Sequence, residues 1–230
     1  KIFLLNLMSA PGSGKTTTLA CLVDHVNSTR EAHVVTIEDP IEFLHQHKMS
    51  VVTQRELYTD TASYDAALRA ALREAPDIIL LGEMRDAETI KAAVTAAETG
   101  HLVISTLHTI GAANTVDRIV DAFPPAQQQQ IRTQLALVLE GVVSQQLLQA
   151  EDGAQVPAFE VMTVNPAVRN MIRESKAFQL ESVISTSSSL GMVTMDQSIL
   201  ALLKAGRITR DTALRHASNP DWLGKRSATL

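Results

Sequence analysis

Ser9-Ala10-Pro11-Gly12-Ser13-Gly14-Lys15-Thr16 stands between the apolar run Ile2 to Met8 and the run Thr17-Thr18-Leu19-Ala20-Cys21-Leu22-Val23. This order predicts a strand, a tight glycine loop and a helix, the arrangement that cradles phosphate. Backbone N–H groups converge at the helix N-terminus, where aligned peptide dipoles leave partial positive charge. In such a loop Lys15 reaches the outer phosphates and the Thr16 hydroxyl a magnesium ion. The nucleotide-binding residues read from the pattern are Ser9, Ala10, Pro11, Gly12, Ser13, Gly14, Lys15, Thr16 and Thr17, with Thr16 also a metal ligand. Ser9 replaces the glycine that usually opens the motif, while Gly12 and Gly14 keep the crowded positions where a Cβ would meet phosphate or strain the backbone.

Working outward, strand-like apolar runs recur at Val34 to Ile37, Ile78 to Leu81 and Leu102 to Thr106, separated by segments able to form helices. That alternation predicts a parallel sheet, and the unbroken apolarity of Ile78-Ile79-Leu80-Leu81 suits a strand covered on both faces. Tyr64 to Glu74 reads as a helix stopped by Pro76, Ala87 to Thr99 as one closed by Gly100, and Asn114 to Phe123 as one stopped by Pro124-Pro125. Gln127 to Gln146 carries a helical period and passes into strand near its end; after a turn at Glu151-Asp152-Gly153, Val156 to Val164 reads as strand. Short helical segments then follow at Ala167 to Glu174, Phe178 to Thr186, Met195 to Ala205 and Thr209 to Ala217, with a flexible loop expected at Ser185 to Ser189. The expected architecture is α/β: a core over residues 1–164 and a small all-helical subdomain over 165–230.

Composition narrows the function classes. With 230 residues, 45% of them hydrophobic, the chain can bury a substantial core, yet no apolar run approaches the ~18 residues of a membrane span. Any membrane association is therefore expected to be peripheral. A net charge of −5 without a lysine or arginine cluster argues against nucleic acid as a partner. The single cysteine, Cys21, leaves no internal disulfide and no four-cysteine zinc site. The chain opens at Lys1 directly in the first strand, without an initiator methionine or signal pattern, so a preceding segment is expected.

Three further runs carry chemistry. Ile37-Glu38-Asp39-Pro40-Ile41-Glu42-Phe43 places carboxylates at the end of a strand, where ligands of doubly wound sheets bind; by itself it also fits a solvated acidic turn. Asp77 to Asp86 is an apolar strand ending in Gly82-Glu83-Met84-Arg85 and resembles a Walker B element, with Glu83 the candidate to orient a magnesium-bound water; a salt bridge to Arg85 is the competing reading. Thr95 to Thr109 brackets a strand between His101 and His108, and a histidine beyond a strand's carboxyl end can sense the γ-phosphate or relay a proton. A hydrogen-bonded structural role is the alternative for either.

Taken in order, the four runs resemble the ATPase domain of the type IV pilus and type II secretion motors, a RecA-like P-loop fold. Its Asp box corresponds to Ile37 to Phe43 through Gln54-Arg55-Glu56, and its His box to Thr95 to Thr109. Ala167 to Glu174 resembles the C-terminal signature of the retraction ATPases, and the missing cysteine quartet points the same way. The resemblance implies ATP hydrolysis with Mg2+, with water activation by Glu42, magnesium-shell coordination by Glu83 and His108 among the catalytic residues. It also implies a cytoplasmic homohexamer, peripheral to the membrane, that works on an inner-membrane platform protein, in some systems beside a paralogous motor. In-trans arginines complete such sites, and Arg55, Arg69, Arg85 and Arg118 are candidates. The family's N-terminal PAS-like domain is not among these residues, and Ala75 stands where the family usually has aspartate.

Alternative readings remain: a pilus extension or secretion ATPase, or a non-hydrolysing nucleotide-dependent accessory of such a motor. A small-molecule kinase would need a lid with acceptor-binding arginines, and a GTPase an Asn-Lys-x-Asp reader. Neither Asn27 nor Asn114 begins one.

Overall fold

A computed structural model describes residues 1–8 and 15–228, with side chains for 1–3 and 17–228. Ser9 to Gly14, and the side chains of Lys15 and Thr16, lie outside the described residues, so the phosphate-loop assignments rest on sequence. The first half of the chain runs β1 (Ile2–Met8), α1 (Lys15–Thr29), β2 (His33–Glu38), β3 (Val51–Glu56), α2 (Tyr64–Ala71), β4 (Ile78–Leu81), α3 (Ala87–Glu98) and β5 (Leu102–Leu107). The second half runs α4 (Gly111–Asp121), α5 (Pro125–Val138), β6 (Leu139–Gln149), β7 (Gln155–Thr163), α6 (Pro166–Arg173), α7 (Leu180–Thr186), α8 (Met195–Lys204), α9 (Arg210–His216) and α10 (Pro220–Ser227).

The strands make one seven-stranded sheet in the order β3-β2-β4-β5-β1-β6-β7. β2 pairs in parallel with both β3 and β4, and β4 with β5; helices cross over between β3 and β4 and between β4 and β5, whereas β2 reaches β3 through a loop without a helix. Every residue of β4 is buried, Ile79 and Leu81 completely, which is why its sequence reads as an apolar run without alternation.

The residues group into two compact units. One holds β2 to β5 with α1, α2, α3 and α5; the other holds β7 and α6 to α10; β1, α4 and β6 contribute to both. In the first unit, α2 and α3 begin on side-chain caps: Ser63 accepts from Ala66 N at 3.1 Å and Asp86 from Thr89 N at 2.8 Å. In the second, Leu148 and Ala158 pack with Met195, Ile199, Ile208, Ala213 and Leu223. Helices α6, α8, α9 and α10 start on Asn165, Thr194, Thr209 and Asn219, each accepting from a backbone N–H of its own first turn. Buried Asp196 ties two of these helices together by accepting from Ser218 N at 2.7 Å and Asn219 N at 2.8 Å.

Four local expectations need correction. β3 was not foreseen, because Gln54-Arg55-Glu56 breaks the apolar pattern; its pairing with β2, not burial, makes it strand. Helix α2 ends at Ala71 rather than Glu74, its last residues tightening into bonds from Arg73 N to Ala70 O and from Glu74 N to Ala71 O. Pro76 bars the right-handed helical region to Ala75, which sits instead at φ +49°, a conformation aspartate tolerates better than alanine. Ser185 to Ser189 is not an open loop but the end of α7 and a 3-10 turn, Ser188–Leu190, closed by Gly191 at φ +77°. α10 was missed, though Asn219-Pro220 carries the signature of a helix start.

Candidate active site

In the first unit the carboxyl ends of β2 and β4 lie side by side, Gly82 N donating to Ile37 O at 2.8 Å. Gly82 is glycine for want of room: a Cβ there would stand 3.3 Å from both Ile37 O and the Tyr64 hydroxyl. β5 is anchored to the same turn, since Met84 N donates to Thr106 O at 3.1 Å and Thr106 Oγ1 to Gly82 O at 2.5 Å. Three parallel strand ends thus fix the backbone from which Glu83 projects.

The Asp-box carboxylates divide. Glu38, the last residue of β2, accepts from Thr36 Oγ1 at 2.6 Å and Gln54 Nε2 at 3.2 Å. It lines a small cleft with Leu19, Ala20 and Val23 of α1. Gln54 also donates to Phe43 O at 2.9 Å and accepts from His45 N at 2.7 Å, so β3 pins the loop that follows β2. Glu56 accepts from Ile41 N at 3.1 Å and does the same nearer the strand end. Glu42 stands exposed in that loop. On β4's side Glu83 is the more enclosed partner of an ion pair with Arg85, its Oε2 accepting from Nε at 2.8 Å, and this carboxylate holds the guanidinium's pKa above its ordinary value. Burial, then the carboxylates of Asp39, Glu83 and Glu38 against the opposing Arg85 charge, push the Tyr64 phenol up to about 12. Gln54 belongs to the Asp box, whereas Tyr64 lines the site from outside every motif.

Hard oxygen donors of this kind suit Mg2+, which keeps several waters and takes one or two carboxylates plus substrate phosphates. Among the described residues no cluster of three or more His, Cys, Asp or Glu could hold a metal by itself.

The two His-box histidines differ. His101 Nδ1 lies 3.1 Å from both Ala96 O and Thr99 Oγ1, which ties it to the end of α3. His108 follows β5 directly and is exposed. Three residues on, α4 begins at Gly111, whose φ of +78° favours glycine.

Glu160 of β7 secures that helix start. Its Oε1 accepts from Ala112 N at 2.7 Å and its Oε2 from Met195 N at 3.4 Å, so one buried carboxylate joins the N-termini of α4 and α8. Burial raises its pKa from 4.5 despite these two donors. A raised native value means that Glu160's contribution to stability is complete below 4.5 and is lost as pH rises through the native pKa. Thermal melts of wild type and Glu160→Gln at mildly acid and mildly alkaline pH are expected to show the wild type losing ground to the variant as pH rises. Parallel melting curves at all pH values would refute this sign.

Of the arginine candidates, Arg55 is paired with Glu74, Arg69 with Asp65 at 2.7 Å and Arg85 with Glu83, while Arg118 is exposed in the last turn of α4. Solvent-exposed pairs are worth only about 0.2–1 kcal/mol, so such pairing does not commit an arginine to its own chain.

The profile of the family described as "Type II/IV secretion system protein" matches residues 4–178. The chain belongs to this family. Among curated Type II/IV secretion system proteins, it is 54% identical over 217 residues, 94% of its length, to the twitching motility protein of Neisseria gonorrhoeae, and 51% identical over 218 residues, again 94%, to the type IV pilus retraction ATPase PilT of Pseudomonas aeruginosa. It spans 58% of the first and 63% of the second. The crystal structure of the pilus retraction motor PilT with bound ADP superposes with a TM-score of 0.88 at 47% identity, covering 96% of this chain and 63% of that one. No helix among the described residues is long and apolar enough to cross a membrane.

Proposed function

We propose that this chain is the ATPase part of a motor that retracts type IV pili. Its similarity over 94% of its length to a twitching motility protein and to a pilus retraction ATPase carries the reading. The acids gathered where β2 and β4 end give it a chemical basis, because phosphoryl transfer to water needs chiefly positioning and neutralisation of charge. Ser9 to Thr17 holds ATP, and Thr16 and Glu83 serve Mg2+. Glu42, in the loop that follows Glu38, is the Asp-box source of water activation, and His108 faces the γ-phosphate. Residues 1–164 act as the RecA-like core and 165–230 as a helical subdomain. The working form is a homohexamer at the cytoplasmic face of the inner membrane, acting on a platform protein and, where one is present, beside a paralogous motor.

Deleting the chromosomal gene is expected to leave cells with surplus surface pili and no twitching. Scarce pili would instead identify an extension motor, and unaltered pili with normal motility would remove the pilus reading.

A further inference from the structure

Tyr64 opens α2 just after the Ser63 cap, and its ring is half-buried against the sheet. Its Oη stands 3.3 Å from where a Cβ on Gly82 would lie, a point also 3.3 Å from Ile37 O and 3.4 Å from Glu38 Cα. The hydroxyl therefore overlies the seam between the ends of β2 and β4. It makes no hydrogen bond to another described residue, yet the carboxylates of Asp39, Glu83 and Glu38 all act on it electrostatically, opposed by Arg85. Packing alone does not call for the oxygen, since a phenyl ring fills the same volume. With its pKa at about 12, the phenol keeps its proton throughout the range in which the protein works. A neutral donor set among acids, with no acceptor claiming it, is available to water held by those acids.

We propose that Tyr64 is a positioning residue of the nucleotide site, its hydroxyl donating to a water carried by the Glu83 and Asp39 carboxylates and so fixing their orientation toward the bound triphosphate. The proposal rests on the reading of this chain as an ATPase. It is tested with Tyr64→Phe in the full-length protein, by steady-state Mg-ATP hydrolysis, fluorescent-nucleotide titration and thermal melting. Loss of one such hydrogen bond is expected to lower kcat about 10-fold, with KM and nucleotide affinity changed less than about twofold and the melting temperature unmoved. Because the phenol does not titrate, the pH profiles of kcat for the two proteins should run parallel. Unchanged kcat overturns the proposal. So does a fall in melting temperature and affinity together with kcat, which would make Tyr64 a packing residue. A wild-type protein without turnover removes the ATPase reading itself, and this role with it.

Discussion

Lys15→Ala is expected to weaken ATP binding roughly 100-fold, because one lysine supplies charge-assisted contacts each worth about 1.5–3 kcal/mol and about 1.4 kcal/mol is a factor of ten. Lys15 opens α1, whose first turn contains no acidic residue to offset the positive end of the helix dipole. In the proposed site the lysine and the dipole act on the same phosphate oxygens, so removal of the first would leave only partial charges. Fluorescent-nucleotide titration of the full-length chain reads the loss directly, with a melting curve to show that the variant is folded. Affinity within about threefold of wild type would place the nucleotide elsewhere, and the family reading of this site would not survive it.

Glu83→Gln should separate binding from chemistry. Removing a group that positions or activates the attacking water lowers kcat by about 10²- to 10⁴-fold, whereas the phosphate contacts that set affinity are made by another loop. Glu83 suits this role because its backbone is fixed by Gly82 and Met84, which bond to β2 and β5 respectively. Its Oε2 accepts from Arg85 Nε at 2.8 Å. Steady-state hydrolysis together with nucleotide titration measures both effects. Retention of near-normal turnover would strike Glu83 from the mechanism. The same assay applied to Glu42→Gln and Glu38→Gln decides between two Asp-box acids. Loss with Glu42→Gln means that the exposed loop closes over ATP, and loss only with Glu38→Gln gives water activation to the strand-end carboxylate held by Thr36 and Gln54.

Much of the fold could be read from local patterns. β4 is legible because burial on both faces demands an apolar run, and α3, which ends at Glu98 rather than Thr99, because Gly100 closes it. β3 is hard to see in the sequence because an edge strand needs a partner more than it needs apolar residues, and only Val51 and Val52 of it are apolar. The acids of the site were visible as motif letters. Tyr64 was not, since it entered the reading as the first residue of an alanine-rich helix and its hydroxyl acquires meaning only where it meets Gly82. Glu160 was equally silent, because a single glutamate in a strand carries no pattern, and its work is to accept from backbone N–H groups of two helices, 48 and 35 residues away in the chain.

This protein's sequence alone determined an α/β pattern, a glycine loop of the kind that cradles phosphate and acidic residues following two later strands, because glycine spacing, unbroken apolar runs and proline stops act over a few residues. Only the tertiary structure decided which acids share a seam, that Gln54 and Thr36 hold Glu38, and that Tyr64 overlies the turn before Glu83. Those relations depend on which strands pair and in what register, and pairing is a property of the whole sheet that no local stretch encodes.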